Sequence, residues 1–434
     1  MKKYHLTKLS LAALLATAPV VFSQEPAQAE IAPVAEPAPA LVVEQAPAPT
    51  PVPEVKPIAE AKPEPAKAAA SGTKISLYGF AQLNAVWEDG VLSTNQNNWN
   101  PIAPSNNKDG GSRTLINVNH TRFGINFSDS PTEGGTELSG KIEADFNNSS
   151  ARSNNGAGNF RIRHSYGQVK FGDLGLTILF GQTGNVFSPR DPSILSEGTM
   201  NYSGNIGSSR VPQIRLTQAL GPAELAVAAV DDRGAPAPSF PGVQGRVGFK
   251  TSADWADAKQ NLELGVSGHF ASEKNTDTTD NQTSVKVPAS WSVNADLNLP
   301  IMDILGLSGE FFYGQNLRNY ANGSLGLTAT ALDPTKISEG DGVKSFGFWA
   351  SLGLKLPASL SLNGGLGMES IANDDDLRSG TIDSNMGIFA NLRYNFIPSA
   401  FVGVEYWHIS TSYKDVDDKG AINRIELAFN YTFK

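Results

Sequence analysis

Cysteine is absent from the 434 residues. That excludes disulfides, cysteine-ligated metals and cysteine nucleophiles. Charge is scarce: Asp, Glu, Lys and Arg make up 18% of the chain, against about 25% in an average soluble domain. The missing charge is not replaced by apolar residues, because hydrophobic residues reach only 40% and the mean hydropathy is −0.23. A coiled coil, an α-helical membrane protein and a charge-rich disordered chain are all excluded by this balance. The formal net charge of −9 leaves no bulk positive charge for nucleic acid, so no nucleic-acid partner is expected. Uncharged polar residues fill the gap, with 42 Gly and 33 Asn. The composition is that of a glycine- and asparagine-rich β protein.

Absences also divide the chain into three parts. No glycine occurs before Gly72, and Tyr4 and Phe22 are the only aromatics before it. Residues 1–29 read as a signal peptide. Lys2, Lys3 and Lys8 form a positive head, Leu9 to Val21 is an apolar run, and Ala27 to Ala29 offers a small-residue cleavage site. The run is shorter than the ~18 residues expected of a membrane-spanning helix. Removing it takes away three Lys and one Glu, which lowers the net charge from −9 to −11. Residues 30–71 hold ten Pro and many Ala, with no Gly, Asn or aromatic residue. Proline fixes φ and removes amide donors, so this stretch is neither a regular helix nor a strand. An extended polyproline conformation would let it reach at most ~130 Å. It reads as a disordered periplasmic spacer, with peptidoglycan as a candidate partner. Residues 72–434 form the third part.

In that third part, period-two alternation bounded by Gly, Pro, Asn and Asp clusters predicts sixteen strands. They fall near 74–86, 114–127, 136–147, 159–171, 175–187, 211–220, 223–232, 243–250, 259–271, 287–299, 303–314, 343–355, 359–370, 385–396, 399–411 and 421–433. The alternation is clean near the end: Ile425, Leu427, Phe429, Tyr431 and Phe433 share one face, with Arg424, Glu426, Asn430 and Thr432 on the other. The connections alternate as well. Short turns such as Asp173-Leu174 and Gly221-Pro222 are followed by long loops such as 188–210, 315–342 and 412–420. This pattern fits an all-β, closed, antiparallel transmembrane barrel with an even strand number and both ends on the short-turn side. A closed sheet supplies every backbone partner that lipid cannot. About sixteen strands leave an aqueous channel. Trp87, Tyr166, Trp291, Tyr394, Trp407 and Tyr431 are placed near strand ends, as interfacial girdles require.

Several segments of the barrel resemble a known family. Thr121 to Gly124, Glu137 to Phe146, Phe160 to Gly167, Leu179 to Thr183 and Pro212 to Arg215 are similar in order and spacing to DcaP-like outer-membrane porins, over roughly residues 75–221. The resemblance implies a trimeric outer-membrane channel that admits small anionic solutes such as dicarboxylates. The chain departs from the family pattern in two places. The family's usual extension resembles a coiled coil, whereas here it is the Pro-Ala segment. The chain also ends Phe433-Lys434 rather than on an aromatic.

Candidate site residues follow from the alternation. If Phe123, Ile125 and Phe127 face lipid, Arg122 faces the lumen along with His120. The same logic turns Arg161 and Arg163, Arg215, and Arg246 with Lys250 inward. Inward cations lower the barrier for anions and orient carboxylates. Alternatively, these arginines pair with lumen acids such as Glu143, Asp145, Glu310 and Glu426 and fill space. The loop 184–210 is a candidate constriction, in which Asp191 and Glu197 would oppose the arginines; the other reading is an external loop with no pore role. His164 is expected on the outer face.

Catalysis and metals find no support. The chain has no GxSxG, HExxH, P-loop or dinucleotide-binding glycine pattern. Asp415, Asp417, Gly420 and Glu426 fit four positions of a calcium loop, but Lys419 stands where an oxygen ligand is needed and the flanks read as strand. No enzyme activity, cofactor or metal is expected. The expected function is passive diffusion of small polar solutes across the outer membrane, with a preference for anions. Lipid and lipopolysaccharide would surround a homotrimer. The alternative is a structural tether acting through residues 30–71.

Overall fold

The computed structural model describes residues 72–90, 103, 111–132, 134–146, 160–195, 200–207, 209–231, 240–254, 261–272, 289–321, 323–336, 338 and 341–434. The proposed signal and spacer, 1–71, lie outside them. The strands are β1 (Lys74–Glu88), β2 (Arg113–Asn117), β3 (Arg122–Ser128), β4 (Thr136–Asp145), β5 (Arg161–Phe171), β6 (Leu176–Gly184), β7 (Arg210–Leu220), β8 (Ala223–Val230) and β9 (Gly242–Ser252). They continue as β10 (Asn261–Ala271), β11 (Ser290–Met302), β12 (Leu305–Gln315), β13 (Lys344–Leu356), β14 (Leu360–Ile371), β15 (Ile382–Ile397), β16 (Ala400–Tyr413) and β17 (Val416–Phe433). Apart from β2 and β3, consecutive strands pair antiparallel, and β17 pairs with β1 from Gly79↔Phe433 to Glu88↔Arg424. The sheet is therefore closed. Both β2 and β3 pair with β1, so these two are halves of one stave and the barrel has sixteen staves.

The alternation seen in the sequence is what closes the barrel in lipid. Leu77, Leu83 and Trp87 on β1, Ile388, Leu392, Tyr394 and Phe396 on β15, and Ile425, Leu427, Phe429 and Tyr431 on β17 are all exposed outward. Left in water, such an area would be an aggregation surface; hydrocarbon is the solvent that accepts it. The inward set on the same strands includes Gln82, Asn84, Asn385, Asn391, Glu426 and Asn430, all buried inside the barrel.

The structure differs from the sequence expectations at four points. The predicted strand 114–127 is broken at 118–121. There Asn117 Oδ1 accepts the Asn119 amide at 3.2 Å and Thr121 N closes a turn on Val118 O at 2.9 Å, a local competitor of the ladder. Four residues, 118–121, face three on β1, 81–83. The extra residue flips the alternation, so Asn117 points inward before it and Arg122 after it. A second extra residue, Arg163, bulges β5 opposite Glu143/Ala144. This bulge turns His164 inward as well, where Nδ1 meets Thr183 Oγ1 at 2.9 Å; His164 is not on the outer face.

The third difference concerns the girdles. Tyr166 faces inward across from Lys141, and Trp407 is buried inside the barrel, donating from Nε1 to Glu405 at 2.7 Å. Finally, the expected long loop 412–420 is a two-residue turn, Lys414-Asp415, with Asp415 at φ 56°. Strand pairing continues through Val416 to Lys419, because charged side chains are no obstacle beyond the lipid.

Candidate functional site: the lumen and the loop inside it

One wall of the lumen, on β3 to β9, is built of arginines and acids. Arg161 makes a two-pronged contact with Asp145, at 2.9 Å from Nε and 2.6 Å from Nη2. Arg163 joins Glu143 at 2.9 Å and Asp145 at 2.7 Å. Arg122 stands 3.5 Å from Glu143, which also accepts the Tyr78 hydroxyl at 2.7 Å. Arg246 holds Asp296 of β11 with two bonds at 2.9 and 2.8 Å. Arg215 has neutral partners instead: Nε donates to Gln213 at 2.9 Å and Nη2 to Gly184 O at 2.5 Å.

The opposite wall, β11 to β16, carries large apolar side chains on its inward phase. Phe312, Trp349 and Phe389 are almost fully buried there, and Trp407 nearly so. What buries them is the loop 185–209. Met200 and Ile194 pack on Trp349, Phe389 and Trp407, while Phe187 and Ile206 pack on Phe312, Leu317 and Tyr320. Main chain touches main chain where side chains are missing. Gly204, at φ 94°, lies against the carbonyls of Phe348 and Met368, and Gly367 lies under Ser203 O; a Cβ at either position would overlap those atoms.

Acids on this wall hold the loop by its amides. Glu310 accepts Arg190 N at 2.7 Å, Ser188 Oγ at 2.5 Å and Trp349 Nε1 at 3.1 Å. Glu405 accepts Leu195 N at 2.8 Å and Asn391 Nδ2 at 2.9 Å, besides Trp407. Asn385 donates to Tyr202 O and Ser203 Oγ at 3.0 and 2.8 Å. The first end of the loop is tied by Gln244, which accepts Val186 N at 2.8 Å. Further out, the segment 316–343 leans on the same structure through Leu325 N, which donates to Glu369 at 3.1 Å. Burial in this layer pushes the Tyr202 phenol up to about 12.

The structure thus brings the sequence-predicted residues together in part. Arg122, Arg161 and Arg246 face the lumen with side chains 22%, 31% and 15% exposed, and Arg215 is half-buried. Arg163 is only 5% exposed between its two acids, so it is a strut within the wall rather than a surface for solute. Asp191 is exposed at the loop edge and bonded to Asn205 Nδ2 at 3.1 Å; Glu197 lies outside the described residues. Sequence reasoning passed over Arg190, which ties the loop to Asp296 and Glu263 at 3.3 and 3.1 Å. It also missed Glu405 as a loop anchor. The signal for Glu405 was its place between outward Val404 and Tyr406. No group of His, Asp and Glu able to hold a metal occurs among the described residues.

Known proteins share this fold. A family model described as DcaP outer membrane protein matches residues 59–233. The crystal structure of the outer membrane channel DcaP of Acinetobacter baumannii superimposes with a TM-score of 0.65 at 19% identity, over 83% of this chain and 98% of that one. An anion-selective porin from Comamonas acidovorans gives 0.55 at 11% identity, over 83% and 100%. A trimer form of OmpT of Vibrio cholerae gives 0.51 at 12% identity, over 83% and 99%. No curated protein sequence matches the chain. Closed barrel and lipid-facing exterior are the fold that these solved outer-membrane channels share with this chain. The segments from Thr121 to Arg215 lie within the stretch that is similar to the DcaP outer membrane protein family.

Proposed function

We propose that this channel passes small polar solutes by passive diffusion with a preference for anions, dicarboxylates among them. The observation that carries the reading is an asymmetry of exposure. Arg122, Arg161, Arg215 and Arg246 reach the lumen, while Glu310 and Glu405 of the other wall are covered by loop amides and indoles. Cations that line a water-filled path lower the barrier for anions and can hold carboxylates by paired bonds. In this reading Arg122, Arg161, Arg215 and Arg246 meet the solute, and Asp191 acts at the constriction. The resemblance to DcaP-like porins supports the dicarboxylate class and a homotrimer embedded in lipid and lipopolysaccharide. Residues 1–29 direct export, and 30–71 extend into the periplasm, where they could reach peptidoglycan. Reversal potentials of the purified protein in planar bilayers under a KCl gradient test the preference. Chloride permeability above potassium is expected, and the reverse order overturns it.

A further inference from the structure

A strand that faces lipid has little use for a carboxamide, yet β6 carries one. Gln182 keeps the outward phase of Phe180, and Ser165, its partner across the sheet on β5, is also exposed outward. Farther along β5, Phe160 and Ile162 lie on the same outer face, 56% and 50% exposed. Gln182 therefore stands within the lipid band rather than beyond it. A polar group there costs free energy unless it is hydrogen-bonded.

Its partner is a main-chain group with the same need. Pairing of β5 with β6 runs from Phe171↔Leu176 to Ser165↔Gln182 and ends there, while β6 stays paired with β7 as far as Gly184↔Arg210. Residues 161–164 thus have no rung on β6. Gln182 reaches past the end of the ladder, and its Nε2 donates to the Ile162 carbonyl at 2.8 Å. A carbonyl and a carboxamide that lipid cannot satisfy here satisfy each other. On the inner face, His164 Nδ1 meets Thr183 Oγ1 at 2.9 Å. From the other side β7 holds the end of β6, with Gln213 Nε2 donating to Thr183 O and Gly184 O at 3.1 and 3.0 Å. The seam between β5 and the root of the loop 185–209 is therefore tied by a side-chain bond on each face of the sheet.

The stretch that Gln182 holds is the one that aims two arginines. Ile162 lies between Arg161 and Arg163, where the extra residue bulges β5 opposite Glu143/Ala144. A bulge re-aims side chains but leaves the strand locally unpaired. Arg161 meets Asp145 at 2.6 Å, and Arg163 meets Glu143 and Asp145 at 2.9 and 2.7 Å, from either side of the Ile162 residue. A shift of that main chain moves both guanidinium groups.

We infer that Gln182, from the lipid side of the wall, is a positioning residue for the lumen arginines: it fixes the Ile162 carbonyl and through it the place of Arg161 and Arg163. This rests on the anion-preferring reading above, in which Arg161 meets the solute.

Gln218 supplies a matched control. It faces outward on β7, in the phase of Leu216 and Leu220, and its Nε2 donates to the Leu174 carbonyl at 2.8 Å, at the short turn before β6. The test uses the full-length protein in planar bilayers under a KCl gradient, with folded barrels verified by heat-modifiable migration. Hydrogen exchange of the same proteins reads the amides of 162–165. Q182M keeps the length of the side chain, removes the donor and is the better residue for lipid, so a carboxamide without a positioning role would leave the channel unchanged. The expected result is a chloride-to-potassium permeability ratio lowered about twofold, as when a unit charge retreats from a passing ion in water, together with faster exchange at 162–165. Q182N keeps the polarity but loses the reach, and should behave like Q182M. Q218M should leave the ratio and the exchange at 162–165 unchanged. A wild-type ratio or wild-type exchange in Q182M overturns the inference, as does a fall in Q218M equal to that in Q182M. A wild-type channel that favours potassium overturns the anion reading instead. Even then Q182M should exchange faster at 162–165 and move the ratio further toward potassium, so the two failures are separable.

Discussion

The two walls of the lumen obey one alternation and put it to opposite uses. On β3 to β9 much of the inward phase is charged, and those side chains hold one another, while Val211, Ala226, Ala228 and Val230 on β7 and β8 pack with Val186 at the first end of the loop. On β11 to β16 the inward phase is aromatic and acidic, and it holds the loop 185–209 instead. Trp349, Phe389 and Trp407 give the loop an apolar floor, and Glu310 and Glu405 satisfy amides that would otherwise be orphaned inside the barrel. A polar inward face is therefore enough to admit water, whereas an apolar inward face in a porin barrel marks where another segment comes to rest.

The contrast can be broken from either side. The largest effect is expected at Arg163, buried between Glu143 and Asp145. Arg163→Gln removes one of the cations shared by Glu143 and Asp145, which keep Arg122 and Arg161, and with two charge-assisted bonds lost should cost about 3 kcal/mol. Denaturant titration followed by the folded band on gels measures it, and open-channel noise should stay near the wild-type level, because the floor under Met200 and Ile194 of the loop is on β13, β15 and β16. A smaller effect is expected at Glu405. Glu405→Gln keeps an acceptor but places a donor against the Leu195, Asn391 and Trp407 N–H groups, which should cost about 1–3 kcal/mol. Here single-channel records should show added flicker, since the change loosens the loop. A quiet Glu405→Gln channel would show that the apolar floor alone seats the loop. Smallest in stability is Asp191→Ala at the exposed loop edge, within about 0.5 kcal/mol. Its effect should appear in selectivity, as a chloride-to-potassium ratio raised about twofold by removal of one lumen negative charge; an unchanged ratio and conductance would remove Asp191 from the constriction.

Sixteen staves and their lipid faces were legible because period two is imposed directly by lipid: a strand such as Ile425 to Phe433 has no other way to satisfy both solvents. Arg122, Arg161, Arg215 and Arg246 were legible for the same reason, each flanked by outward apolar residues. What alternation cannot show is a change of phase. The extra residues at 118–121 and at Arg163 each shift the pattern by one, and that shift misplaced His164. Trp407 was misread as a girdle residue, although its inward phase between Tyr406 and His408 already set it apart from Tyr394 and Tyr431. Its true partner, Met200, is remote in sequence, and no local pattern reports a contact of that kind. The two-residue turn at Lys414-Asp415 was hidden by charge: Asp417, Asp418 and Lys419 look like loop text but sit on strand beyond the lipid.

The closure of β17 on β1 has a consequence for how the molecule is made. The ten registered pairs from Gly79↔Phe433 to Glu88↔Arg424 join the two ends of the barrel sequence, so β1 carries an open edge until the last strand arrives. Such long-range pairing is slow, and an open edge invites pairing with other chains. The loop 185–209 faces the same wait, since its floor on β13, β15 and β16 follows it by well over a hundred residues of chain. Seating the loop is therefore a late step, and a chain halted before β16 would lack the part of the floor that Glu405 and Trp407 supply.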